Sequence, residues 1–168
     1  MILIPPPPRN SLAELQAVID QYENPVNPGH MQVPMDKDLD GLFSRLLRRN
    51  GLPGQRRRLK FWAKALVPVV LYHKAYFSRL RPGEYARRLR LPVRFDQLES
   101  SMGTASYPSG HTVQAYVLAI RLSRKYPHLH DQLMELAKSI SLSRVDRGVH
   151  FPSDLDGGYQ LALKLSGA

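Results

Sequence analysis

The chain has 168 residues, 24 Lys+Arg against 14 Asp+Glu, 14 prolines, no cysteine and a formal charge of +10. That length suits one domain with a proper core, and without cysteine there is no disulfide framework, zinc knuckle or thiol nucleophile. The longest unbroken apolar run, Ala65 to Tyr72, spans eight residues against the roughly 20 a membrane helix needs, so no membrane span is expected.

Leu occurs 25 times against 18 for Val, Ile and Thr together, a bias toward helix. The expected fold class is all-α, a single compact helical domain over residues 11–168 preceded by an extended Pro-rich arm over 1–10. The start Met1 to Pro5 has no basic segment, long apolar core or small-residue cleavage site. Residence in the cytoplasm, or a leader already removed, are both compatible with it.

Ser11-Leu-Ala-Glu14 is a capping-box pattern, followed by Leu12, Leu15, Val18, Ile19 and Tyr22 at helical spacing. Three prolines and a glycine make Asn24 to Pro34 a loop. A second helix is expected over Asp38 to Asn50, with Leu39, Leu42, Phe43, Leu46 and Leu47 on one face and Gly51 at its end. A long helix follows over Gln55 to Leu80, kinked or broken near Pro68 and stopped by Arg81-Pro82-Gly83. A short helical piece over Glu84 to Arg90 leads into a loop through Gly103 to Pro108. Helices are then expected over Ser109 to Tyr126, over Asp131 to Arg144 and from Ser153 to about Leu165, the last with Asp156 at the capping-box position.

Charge is uneven. Arg45 to Arg94 holds 15 Lys+Arg and one acid, Glu84, whereas the other 118 residues hold 9 bases and 13 acids. Such a block suits a polyanionic or phosphorylated partner, or else a set of solvated helix faces.

Periodicity also places charges where a core is expected. Leu59, Ala63, Leu66, Val70, Lys74 and Phe77 form one face, so Lys74 lies in the apolar stripe. Leu133, Leu136, Ala137 and Ile140 lead to Arg144 in the same way, and His111 aligns with Ala115, Leu118 and Leu122. A buried cation without a partner costs several kcal/mol or shifts its pKa. Two inward cations therefore call for an anion between them, unless each snorkels outward or pairs with a carboxylate such as Asp146 or Asp96. Tyr107-Pro108-Ser109-Gly110-His111 is a turn feeding a helix N-terminus, able to offer N–H groups and a hydroxyl to an oxyanion. His150 and Asp154 lie four apart, where the carboxylate can orient the imidazole.

Taken together, Lys74 with Arg81-Pro82, then Pro108-Ser109-Gly110-His111, then Ser143-Arg144 with His150 and Asp154 make eleven positions in a fixed order. This set resembles the three-part signature of the type 2 phosphatidic acid phosphatase (PAP2) superfamily. That superfamily holds bacterial class A non-specific acid phosphatases, membrane lipid-phosphate phosphatases and vanadium haloperoxidases. Residues 106–112 and 148–154 are most similar to the soluble acid phosphatases, and residues 1–60 carry no matching motif. The resemblance implies a metal-independent phosphomonoesterase. In it His150 attacks phosphorus and becomes a phosphohistidine, Asp154 orients it, and His111 protonates the leaving group and then activates water. Lys74, Arg81, Ser109, Gly110 and Arg144 hold the phosphoryl oxygens. No cofactor and no metal are implied, since the cations supply the positive charge and would repel a metal ion. The expected pH optimum is acidic to near neutral.

The implied partner is a small phosphorylated substrate. Oligomeric state is not encoded in these features, and a homo-oligomer is compatible with them. Two alternatives stand beside this reading. One is a vanadium-dependent haloperoxidase-like enzyme, testable by halide oxidation after vanadate loading. The other is a basic nucleic-acid-binding protein using residues 45–94. Little beyond Phe61, Trp62, Tyr72, Tyr76, Phe77 and Tyr85 supports nucleic acid, and most of those aromatics fit core spacing.

Overall fold

Eight α-helices run through the computed structural model, which describes residues 1–26, 35–95 and 103–167. They are α1 (Leu12–Glu23), α2 (Met35–Arg49), α3 (Arg56–Ala65), α4 (Val67–Phe77), α5 (Pro82–Arg88), α6 (Gly110–Lys125), α7 (His130–Asp146) and α8 (Pro152–Ser166), with a 3-10 turn over Pro127–Leu129. The described residues contain no strand, so the all-α expectation holds. None of these helices is long and apolar enough to cross a membrane.

Several boundaries move for identifiable reasons. The break expected near Pro68 makes the long helix two, separated at Leu66, and the second ends at Phe77 rather than Leu80. Pro68 lacks an N–H and its ring would meet the carbonyl four residues back, so it belongs in a first turn rather than a helix interior. It duly sits at the start of α4. That helix ends at Ser78, whose φ of 48° is left-handed and whose N–H still reaches the Lys74 carbonyl at 2.9 Å. In α1, Ser11 Oγ accepts from Glu14 N at 3.2 Å. The expected reciprocal contact is replaced, because the Glu14 carboxylate turns across the molecule to Arg79 and Ser153. In α8 the carboxylate that closes the first turn is Asp154 and not Asp156: its Oδ2 accepts from Phe151 N at 2.8 Å. The expected loop over 24–34 and the one that follows Arg90 and runs through Gly103 to Pro108 fall partly outside the described residues, and Asp96 lies outside them.

The core is continuous through the helices. Phe43 and Leu47 of α2, Leu59 of α3, Leu118 and Leu122 of α6, and Leu133 and Ile140 of α7 form one fully buried cluster. Each such side chain contributes on the order of 1.5–3 kcal/mol by leaving water. A second cluster joins Val70, Tyr107, Val113, Val117 and Leu161 to Ile4 of the N-terminal arm. That arm is not free: Leu3 N donates to His73 Nε2 at 3.1 Å, and Tyr107 Oη donates to the Pro5 carbonyl at 2.8 Å. A third cluster packs Leu15 and Val18 of α1 against Phe95, Val145, Phe151 and Leu155.

The ends of α6 and α8 meet closely. Ser109 N donates to the Asp154 carbonyl at 2.9 Å, and a Cβ at Gly158 would fall 2.8 Å from both Ser109 O and Thr112 Cβ. Only a glycine lets the two helix starts approach this far.

Candidate active site

Local sequence places the charges before tertiary structure joins them. Lys74 lies in the last turn of α4, Arg81 is the residue before α5, and Gly110 and His111 open α6. Arg144 lies in the last turn of α7, while His150 and Asp154 flank the start of α8. Lys74, Arg81, Gly110, His111 and His150, with Thr104, Gln114, Val67, Val70 and Leu71, line one cavity of about 230 Å³. The inward aim read from periodicity is correct. Lys74 and Arg81 are buried, and Arg144 is fully so.

Carbonyls and loops hold the cations in place. Lys74 Nζ donates to the carbonyls of Ala105 and of Ser106. Arg81 donates from Nε to Thr104 O and from Nη1 to Val149 O, both at 2.8 Å. Ser109 and Arg144 are fully buried. Ser109 Oγ accepts from Thr112 Oγ1 at 2.9 Å, and the Arg144 charge acts on both Lys74 and His150. Asp146, considered above as a possible Arg144 partner, accepts from Gln21 Nε2 at 2.7 Å and from Val26 N at 3.3 Å.

Crowding cations into a dry site shifts their protonation. Burial, then Arg81, with a further push from Arg144, lowers the Lys74 pKa to about 7, against a partial counter-pull from Asp154. Burial pushes His150 well below the ordinary histidine value, and Arg81, Lys74, Arg144 and His111 push the same way. A buried neutral imidazole beside cationic groups is ready to meet an anion.

His150 Nδ1 lies 3.3 Å from Asp154 Oδ2 and 3.4 Å from Ser106 Oγ. That arrangement leaves Nε2 as the ring nitrogen free for chemistry. The separation to Asp154 is at the long end for a hydrogen bond. Asp154 itself is fully buried and is held from several sides: by Ser106 Oγ and Phe151 N at Oδ2, and by Arg79 Nη1 at Oδ1, 2.7 Å away.

Sequence reasoning missed Ser106, Thr104, Arg79 and Glu14. Arg79 had a usable signal, since it stands two residues before Arg81 in the non-helical link between α4 and α5. Ser106 and Glu14 had none, because their side-chain partners at the site lie 44 residues or more away.

The basic block resolves into parts. Arg56 pairs with Asp38 at 2.6 Å and Asp40 at 3.0 Å, and Arg45 pairs with Asp38 at 2.8 Å. The Arg58 and Arg121 guanidinium groups lie 4.6 and 5.2 Å from the Trp62 ring centre. The expectation that most of its aromatics fill the core is wrong: Phe61 is 70% exposed, Tyr72 51% and Tyr76 64%, while Trp62, Phe77 and Tyr85 are half-buried. The stripe from Leu59 through Leu66 and Val70 to Lys74 stays buried across the break, and Phe61, Tyr72 and Tyr76 lie off it, on the outer faces of α3 and α4. Among the described residues no cluster of three His, Asp or Glu side chains could hold a metal ion.

Comparison with known proteins places this geometry in context. The sequence model of the PAP2 superfamily matches residues 61–165. A non-specific acid phosphatase from Salmonella typhimurium is 27% identical over 169 residues, covering 92% of this chain and 67% of that protein. A non-specific acid phosphatase from Salmonella typhi is 33% identical over 85 residues, covering 51% of this chain and 33% of that protein. The chain thus spans about two thirds of one relative and one third of the other. The crystal structure of a transmembrane PAP2 type phosphatidylglycerolphosphate phosphatase from Bacillus subtilis aligns with 94% of this chain and 75% of its own, at 20% identity and a TM-score of 0.48.

Proposed function

The chain belongs to the PAP2 superfamily, and from that premise we propose that it is a metal-independent phosphatase that hydrolyses phosphomonoesters through a phosphohistidine. The observation that carries this reading is His150, buried among Lys74, Arg81 and Arg144 with Nδ1 turned to Asp154.

In the first step the His150 Nε2 lone pair attacks phosphorus from the side opposite the ester oxygen. The P–N bond forms as the P–O bond breaks, and His111 delivers a proton to the departing alkoxide. In the second step His111 takes a proton from water, the oxygen attacks phosphorus, and inorganic phosphate leaves His150. Asp154 and Ser106 hold the imidazole ring throughout. Negative charge spreads over the equatorial oxygens in each transition state, where Lys74, Arg81, Arg144 and the N–H of Gly110 at the α6 N-terminus stabilise it. Ser109 supports that turn and offers its hydroxyl. The cations do what a metal ion would do in a metal-dependent phosphatase. The entering dianion also restores the Lys74 proton, because its charge offsets the burial and the repulsion from Arg81 and Arg144 that lower the pKa.

The test is a phosphate-release screen over phosphomonoesters, nucleotides, diphosphates and pyrophosphate from pH 4 to 8 with EDTA present, repeated with His150→Ala. Turnover in EDTA that disappears in His150→Ala is the expected result. Loss of activity in EDTA that added metal restores would refute metal independence. A His150→Ala variant that keeps most of its activity on 4-nitrophenyl phosphate would refute the covalent step.

A further inference from the structure

Arg79 is one of the most heavily engaged side chains of the molecule, yet it has no role in the chemistry above. Its side chain is 3% exposed. Nη1 donates to Asp154 Oδ1 and to Ser153 Oγ, both at 2.7 Å. Nη2 donates to Glu14 Oε2 at 2.7 Å, and Nε to Asn10 Oδ1 at 2.9 Å. The guanidinium lies 4.5 Å from the centre of the Phe151 ring, and the Arg79 carbonyl accepts from Ser106 N at 2.9 Å. Arg79 therefore grips both groups that face His150 Nδ1: Asp154 through its side chain and Ser106 through its backbone.

Glu14 completes the arrangement from the first turn of α1. Its Oε1 accepts from Ser153 N at 3.0 Å and from the Ser153 hydroxyl. One carboxylate thus fixes the far side of the guanidinium fork and the start of the helix that carries Asp154. Glu14 lies outside the matched region 61–165, so this contact ties the N-terminal helix to the reaction centre.

We propose that Arg79 and Glu14 are positioning residues that act through Asp154: they lock its carboxylate against His150 Nδ1 so that Nε2 faces the phosphoryl group. The inference rests on the phosphohistidine reading. A planar fork that binds two carboxylates at once holds both in fixed orientation, which an ammonium cannot do. Loss of the fork or of Glu14 lets the Asp154 carboxylate rotate. The imidazole then samples wrong tautomers and orientations, while the phosphate-holding cations are untouched.

The test measures steady-state kcat and KM on 4-nitrophenyl phosphate, with sulfate affinity and thermal unfolding, for Arg79→Lys, Glu14→Gln, Asp154→Asn and the Glu14→Gln/Asp154→Asn pair. His150→Ala is included as a control. Loss of an orienting partner of this kind costs about 10–100-fold in activity. The expected result is a fall of that size in kcat per folded molecule for Arg79→Lys and Glu14→Gln, with KM and sulfate affinity within about twofold of the parent. In the Asp154→Asn background, Glu14→Gln should cost nothing further, because the group it acts through is gone. A merely structural role would cost the same in both backgrounds or track the folded fraction, and either outcome overturns the proposal. Unchanged kcat in folded Glu14→Gln overturns it too, and that variant decides alone if Arg79→Lys does not fold. If His150→Ala stays active, the phosphohistidine reading has failed. If His150→Ala is dead while Glu14→Gln matches the parent, only this inference has failed.

Discussion

Raising the pH from 8 to 10 should strip the cavity of its affinity for dianions through Lys74. Its ammonium is faced by Arg81 at the start of α5, Arg144 on α7 and Asp154 on α8, and burial with the two cations lowers its pKa to about 7. Above that pH the empty site holds a neutral amine. A dianion returns the pKa toward the ordinary 10.5, so binding takes up a proton, and each pH unit above 7 costs about 1.4 kcal/mol, or tenfold in affinity. Two units between pH 8 and 10 therefore weaken binding about 100-fold, roughly 2.7 kcal/mol. Sulfate is the suitable probe, since its charge is constant over this range, and His150, held well below the ordinary histidine value by burial, is already neutral there. Calorimetry in buffers of different ionisation enthalpy should record uptake of about one proton per sulfate bound. Arginine stays protonated throughout, so in Lys74→Arg the slope should vanish. A flat profile between pH 8 and 10, or the same slope in Lys74→Arg, would refute the argument.

Removing His111 by His111→Ala should lower turnover by about 10²–10⁴-fold on alkyl phosphates and by less on 4-nitrophenyl phosphate, whose leaving group needs little protonation; steady-state rates on the two substrates check this. His150 has a folded-state pKa below its ordinary value, so the unfolded chain binds more protons as pH falls through about 6.5. Stability present above that pH should be lost progressively below it, and Tm should fall less between pH 7 and 5 in His150→Gln than in the parent. A Cβ at Gly157 would stand 2.1 Å from the Tyr107 ring, whose hydroxyl anchors Pro5. Gly157→Ala should therefore cost about 1–3 kcal/mol in denaturant unfolding and increase proteolytic cleavage within residues 1–10.

Much of the site is legible along the chain because helices impose a local rule. Residues three and four apart share a face, so Lys74 and Arg144 could be read as inward charges before any packing was known. His150 and Asp154 could likewise be read as one contact. The break expected near Pro68 is there, with Pro68 in the first turn of α4; the local rule failed where Asp154 rather than Asp156 closes the first turn of α8.

Sequence by itself therefore determined the helical class, the inward aim of Lys74 and Arg144 and the membership of His150 and Asp154 in one pair, since each depends on local spacing. Tertiary structure alone decided what holds that set in place: Glu14 on Arg79, Ser106 on Asp154, and Arg81 on the Val149 carbonyl, contacts spanning 65, 48 and 68 residues. No periodicity connects positions so far apart. Only the packing of α1, α4, α6 and α8 brings them within hydrogen-bond reach, and the same burial is what depresses the pKa values of Lys74 and His150.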